Sequence, residues 1–465
     1  MKTQNPNIVL VMADDMGYGD PGCYNPESKI PTPNIDRLAR EGTRFTDAHS
    51  PCALCTPSRY GLLTGRYHWR TAKPHTLVMP YEPPIIEASR TTIASMLKGC
   101  GYKTACIGKW HLGFLYPSKV DKKSGYTEQE GDIDFHQTLD GGPLELGFDY
   151  FYGTAGCSTS DPPYCFIENN RAVDIPSISS PEALNELPGF YPGLMVPQWV
   201  EAEVDIHLAL RARAHIAEQI KSSPKTPFFL YFALSAPHNP WVVPEFLKGS
   251  SGDGLRGDMN VLADWCLGQI YEELSKQGLL DNTLIIYTSD HGPQYNIGKT
   301  GHRASGFFRG HKNTAFEGGH RVPFVVRWPG KVISGTTSDH LICHTDLLAT
   351  FAELTGQPLP EGAGEDSFSA FANLLGKGQP QRPAFVADTG HHGLASGDFS
   401  IRHDGWKLII MAPRRQGDSE ELLLFNLNDD PFEQNDVKAV FPEQVSVLEM
   451  LLYQVKHTGS RYLKF

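Results

Sequence analysis

Four apolar runs in this chain each end in residues able to do acid–base, nucleophilic or metal chemistry. Asn7–Met12 leads into Asp14 and Asp15, Lys103–Ile107 into Lys109 and His111, Phe228–Ala233 into His238, and Leu284–Thr288 into Asp290 and His291. Carboxylates and imidazoles are ligands for a divalent cation, although calcium prefers oxygen donors and a histidine leaves the choice of metal open. A fifth segment, Ala53–Arg66, holds Cys55, Pro57, Ser58 and Arg59. With Thr56 as helix N-cap and Pro57 in the first turn, Cys55 would sit where free N–H groups and the helix dipole favour an anion. Arg59 would point at the same anion, and a cysteine there is expected to have a lowered pKa and to be reactive. Each signal also has a plain structural reading. An Asp pair after a strand often makes a turn. His238 between Pro237 and Pro240 could simply brace a loop. Cys52-x-x-Cys55 is a redox or zinc half-site without a second half.

What turns separate signals into one site is the arrangement of elements. Short β-branched strands alternating with helical stretches predict a parallel α/β sheet, in which ligands bind beyond the carboxyl ends of the strands. Residues far apart in sequence then converge. Helices are expected at Asn34–Glu41, Thr92–Lys98, Val200–Lys221, Gly257–Lys276, 345–355 and 442–456, with the second stopping at Gly99 and Gly101. Residues 112–199, rich in Gly, Pro and aromatics, read as long excursions over the sheet. After a Gly/Pro-rich stretch at 356–382, short strands in Gly405–Met411 and Glu421–Leu427 mark a smaller C-terminal unit, and the expected division is 1–365 and 366–465.

The 465 residues carry 41 basic and 53 acidic side chains, a formal charge of −12, without a basic block. That argues against a broad phosphate-contacting face, so no nucleic-acid partner is expected. No apolar run reaches the length of a membrane span. Nine cysteines are an odd number that cannot all pair internally. The start lacks a long apolar segment before the first strand, which leaves a cytoplasmic location open.

Cys55-x-Pro57-Ser58-Arg59, followed by Leu63-Thr64-Gly65-Arg66, resembles the maturation motif of type I sulfatases, and Gly101–His111 resembles the second signature of that family. The likeness runs from Asn7 to about Pro329 and more weakly beyond. It implies an alkaline-phosphatase-like α/β fold: a large mixed, mainly parallel central sheet sandwiched by helices, and a C-terminal α+β subdomain with a short antiparallel sheet. It further implies that a formylglycine-generating enzyme oxidises Cys55 to formylglycine, and that one calcium ion is held by Asp14, Asp15, Asp290, His291 and position 55. Lys109, Lys312 and Arg59 would clamp the sulfate, Asp290 would hold the nucleophile's proton, His238 would protonate the leaving oxygen, and His111 would help expel sulfate. Glu317 and Arg321, in the segment resembling the family's lysine segment, are expected to be structural. The implied substrate is a sulfated carbohydrate, glycosaminoglycan or algal. Trp241, His302, His311, His391 and His392, with Asp398, are candidate substrate contacts. Family members work in the periplasm, outside the cell or in lysosomes. The rival readings are a phosphoester or phosphonate hydrolase using the same pocket, a sugar-binding pseudo-enzyme, and a thiol redox protein.

Overall fold

A computed structural model describes residues 5–462 apart from 72–76, 122, 379–381, 391–396 and 416. Its large sheet is built from β1 (Asn7–Ala13), β2 (Thr43–Phe45), β3 (Lys103–Lys109), β4 (Tyr150–Thr154), β5 (Ile167–Glu168), β6 (Arg171–Ala172), β7 (Phe228–Ala233), β8 (Thr283–Ser289), β9 (Phe324–Arg327) and β10 (Thr336–Ser338). The order across this sheet is β10-β2-β9-β8-β1-β7-β3-β4-β5-β6. The centre is parallel: β1 lies between β7 and β8, and β3 and β4 continue outward from β7. Antiparallel pairs, β9 on β8 and β5 on β4, close the two flanks.

Both faces of β1 are covered, which is why it reads as an unbroken apolar run. Ile8, Leu10 and Met12 pack on one side with α2 (Cys55–Thr64), α3 (Ile93–Gly99) and α6 (Leu347–Thr355). Val9, Val11 and Ala13 pack on the other with α1 (Pro33–Glu41), α4 (Val204–Ser222) and α5 (Gly254–Lys276). The alternation is the strand period of two meeting two helical layers. Thr92 caps α3 through a reciprocal pair with Ser95. Helix α4 begins beside the end of β7, because Asp205 accepts hydrogen bonds from the Ser235 and Ala236 amides at 2.9 and 3.0 Å.

Four antiparallel strands, β11 (Phe385–Asp388), β12 (Phe399–His403), β13 (Trp406–Met411) and β14 (Glu421–Asn426), form a second sheet, with α7 (Pro442–Thr458) packed on it. Tyr67 is buried in the same cluster, and Cys52 bridges to Asp388 on β11, so this sheet lies against the segment that carries Cys55. No helix among the described residues is long and apolar enough to cross a membrane.

Candidate active site and metal centre

β1, β3, β7 and β8 release their polar tails at one edge of the sheet, and α2 brings Cys55 to the same point. Asp14, Cys55, Asp290 and His291 each offer a ligand atom, all within 4.8 Å of one another, and Asp15 and His238 join Asp14 and Cys55 in an overlapping group. Cys55 Sγ lies 3.2 Å from His291 Nε2 and 3.6 Å from Asp14 Oδ1. His291 binds the Gly292 carbonyl through Nδ1 at 2.8 Å, which turns Nε2 inward, 3.3 Å from Asp15 Oδ1. Asp15 sits at φ 70°, in the left-handed region, and its amide donates to Asp290 Oδ1 at 3.1 Å.

Three fixed cations face the three carboxylates. Lys109 Nζ lies 2.6 Å from Asp14 Oδ2, Lys312 Nζ lies 2.8 and 3.0 Å from the two oxygens of Asp15, and Arg59 donates to Asp290 Oδ2 at 3.0 Å. Burial alone would raise the Asp14 carboxyl, but Lys109, His238 and Arg59 outweigh it and hold Asp14 well below the usual range. Burial and Lys312 oppose a charge on His238, yet Asp15 and Asp14 prevail and its pKa is raised. His111 goes the other way: burial, Lys109 and Arg59 push it well below 6.5, so the imidazole is neutral. Its Nε2 lies 3.1 Å from the Val78 carbonyl, while Nδ1 is buried without a protein partner. His111 also holds a left-handed backbone, φ 56°, at the site.

A cavity of about 170 Å³ opens over this cluster. Cys55 forms part of its wall, together with His111, His238 and Lys312. Lys109 and Arg59, both fully buried, are held against the carboxylates of Asp14 and Asp290, which they neutralise. In this structure the guanidinium of Arg59 is engaged by Asp290. Two expectations about the Cys55 segment change. Helix α2 starts at Cys55 itself, with Leu54 before it and no side-chain cap. Thr56 Oγ1 instead donates to the His111 carbonyl and accepts from the Val78 amide. The Cys55 thiol is raised, not lowered, because its burial outweighs Lys109 and Lys312.

The outlying candidates separate from this cluster. His302 is buried with Nε2 2.8 Å from Asp20 Oδ1 and Nδ1 accepting from the Lys29 amide, so it braces a loop and does not line the cavity. His311 turns Nδ1 to the Lys312 carbonyl and is also absent from the cavity wall. Trp241 donates to the Pro237 carbonyl and lines a neighbouring apolar groove with Leu187 and Phe246. Asp398 is buried and pairs with Arg414. His391 and His392 lie outside the described residues. Wall residues that the sequence reading passed over are Cys157, Ser160 and Asp161, from the loop after β4, and Tyr191, Gln294 and Asn313. The loop after β4 obeys the same rule as the others, a strand end discharging into polar residues.

The sequence model of the Sulfatase family matches residues 6–357, and that of the N-sulphoglucosamine sulphohydrolase C-terminal region matches 305–458. An N-acetylgalactosamine-6-O-sulfatase of Bacteroides thetaiotaomicron is 34% identical over 98% of this chain and 94% of its own. Human arylsulfatase A is 32% identical over 96% of this chain and 87% of its own. A solved structure from work on the metabolism of multiple glycosaminoglycans by Bacteroides thetaiotaomicron superposes with a TM-score of 0.83 at 32% identity, covering 98% of this chain and all of that one.

Proposed function

Because this chain belongs to the sulfatase family and is a sulfuric ester hydrolase, we propose that it hydrolyses a sulfate monoester of a carbohydrate, using a formylglycine made from Cys55. The observation that carries this reading is the position of Cys55: at the first turn of α2, on the wall of the cavity, with Sγ against His291 and Asp14 and with Lys312 and His238 facing it. A hydrated aldehyde at position 55 supplies one hydroxyl to attack sulfur and a second through which sulfate is later expelled.

Asp14, Asp15, Asp290 and His291 fit a divalent cation, since three carboxylates supply the hard oxygen donors that calcium prefers and His291 Nε2 is aimed at them. The cation would add positive charge facing the sulfate oxygens. The chain's own residues do the rest. The three carboxylates are matched by Arg59, Lys109 and Lys312, so the pocket carries no excess negative charge to repel an anion in a dry site. Lys312, in the cavity wall with Nζ held by Asp15, would contact a sulfate oxygen. His238, whose pKa is raised by Asp15 and Asp14, would hand a proton to the leaving sugar oxygen. His111 is kept neutral, so its free Nδ1 accepts a proton when sulfate departs. Asp290 Oδ1, beside the His291 and Asp15 amides, holds the proton of the attacking hydroxyl.

The name of the bacterial relative makes 6-sulfated N-acetylgalactosamine the first sugar to try. Asn239, Tyr191 and Gln294 in the cavity wall carry polar groups that would suit sugar hydroxyls. Two measurements test the reading. The peptide carrying residue 55, from protein made with a maturation enzyme, should have the mass of the aldehyde or its hydrate. That protein should release inorganic sulfate from a sulfated oligosaccharide. An unmodified thiol with undiminished turnover would overturn the role given to Cys55, and a converted protein inert on every sulfated sugar would overturn the substrate class.

A further inference from the structure

The loop that carries Lys312 is closed at both ends on one residue of the C-terminal unit. Arg309 Nη1 donates to the backbone carbonyl of Glu433 at 2.9 Å, and the Glu317 amide donates to Glu433 Oε2 at 2.7 Å. Glu433 is fully buried and holds a left-handed backbone, φ 57°. A non-glycine residue keeps such a conformation only where surrounding contacts impose it. Lys407 on β13, also fully buried, bridges the two carboxylates, 2.8 Å from Glu433 Oε1 and 3.0 Å from Glu317 Oε1. Arg321 binds the other oxygen of Glu317.

The same turn reaches the metal-facing segment. The Gly292 amide, next to His291, donates to the Gly319 carbonyl at 2.9 Å, and the Lys312 amide donates to the Pro293 carbonyl at 2.9 Å. The turn has no slack: a Cβ on Gly292 would fall 2.0 Å from the Gly318 carbonyl oxygen, and one on Gly318 would fall 2.4 Å from that of Gly310.

We propose that Glu433 and Lys407 are positioning residues for Lys312: the C-terminal sheet sets the place of the sulfate-facing lysine by gripping Arg309 and Glu317 on either side of it. Other buried groups explain themselves without a ligand; Asp20, Arg256 and His302, for example, neutralise one another. The Glu433 contacts instead have a mechanical consequence, since nothing in them touches substrate while both ends of a loop in the cavity wall depend on them.

The inference rests on Lys312 binding sulfate, and the test separates the two ideas. Inorganic sulfate is titrated calorimetrically into the purified full-length chain and its variants, and kcat and KM are measured on the sulfated sugar. Lys312→Met should weaken sulfate binding at least tenfold; no change would sink the reading of Lys312 itself. Glu433→Ala, deleting the carboxylate that holds the Glu317 amide and Lys407 while keeping the carbonyl that Arg309 binds, should weaken sulfate binding and kcat about 10–100-fold, the size of loss expected when a binding group moves by about an ångström. Glu433→Gln keeps an oxygen for the Glu317 amide and should recover most of that loss. In the Lys312→Met background, Glu433→Ala should cost no further sulfate affinity, because its whole effect runs through the lysine. Equal losses in both backgrounds, or full sulfate affinity in Glu433→Ala, would overturn the proposal. If Glu433→Ala does not fold, Lys407→Met carries the same double-variant comparison.

Discussion

Replacing Lys109 by methionine keeps the length of the side chain and deletes its charge. Lys109 Nζ lies 2.6 Å from Asp14 Oδ2, and both side chains are fully buried. Removing one member of a buried pair leaves the other uncompensated, at a typical cost of about 3–5 kcal/mol. For a chain of 465 residues the unfolding entropy is about 1 kcal/mol/K, at about 2.1 cal/mol/K per residue, so the midpoint should fall by about 3–5 °C. That figure applies to the protein stripped of metal. A divalent cation at Asp14 supplies the missing countercharge, so calcium should raise the midpoint of Lys109→Met by more than it raises that of the wild type. Turnover should still fall about 10²–10³-fold, the usual loss when one preorganised positive group is taken from a dry site. Scanning calorimetry in EDTA and in calcium, with steady-state assays on the same samples, reads all three effects. An unchanged midpoint in EDTA, or a calcium shift no larger than that of the wild type, would refute the account of Lys109 as the standing partner of Asp14.

Three further outcomes follow from the geometry. His238→Ala should slow a sugar sulfate about 10²–10⁴-fold but 4-nitrophenyl sulfate far less, because a phenolate leaves without a proton; equal losses would remove His238 from the acid role. Gly292→Ala should lower both thermal stability and calcium affinity, since its Cβ would meet the Gly318 carbonyl at 2.0 Å and the His291 backbone has nowhere to retreat; wild-type calcium binding would show that the turn can give. His344, buried against Thr288, is pushed down to about 3 by desolvation. An unfolded histidine near 6.5 takes up a proton that the folded one refuses, so the stability present above pH 6.5 is lost as pH falls, by about 2 kcal/mol between pH 7 and 5. His344→Gln should flatten that decline by the same amount in urea titrations, and an unaltered slope would contradict it.

How far the sequence could be read depended on what buries each piece. β1, β3, β7 and β8 are covered on both faces, and such strands announce themselves as apolar runs. β4 is only partly covered, its burial alternates, and it fell within the featureless span 112–199. With it went Cys157, Ser160 and Asp161. The clustering of Asp14, Asp15, Asp290 and His291 was legible because strand ends converge by rule. The environment of each member was not. Helix position suggested an acidic thiol at Cys55, but nothing local reveals that the residue is 2% exposed and that desolvation outweighs the helix end. His302 looked free because its partners, Asp20 and Arg256, come from distant segments. Thr56 has the side chain of a cap, yet the carbonyl of His111 claims it.

The central place of β1 also sets a clock. The first strand made is flanked by β7 and β8, so its pairing cannot finish until Ser289 has been synthesised. Helix α2 waits longer, because it packs on residues 344–355. At about 5–20 residues per second, the roughly 230 residues between Cys55 and the end of β8 take about 12–46 s to make. Throughout that interval the segment around Cys55 has no finished sheet to be buried against. Once the fold closes, the same thiol is 2% exposed, on the wall of a cavity of about 170 Å³. If Cys55 is oxidised as proposed, the enzyme that does so would meet the nascent chain more readily than the finished molecule. The speed at which this sheet closes, and not just the motif, would then set what fraction of molecules is converted.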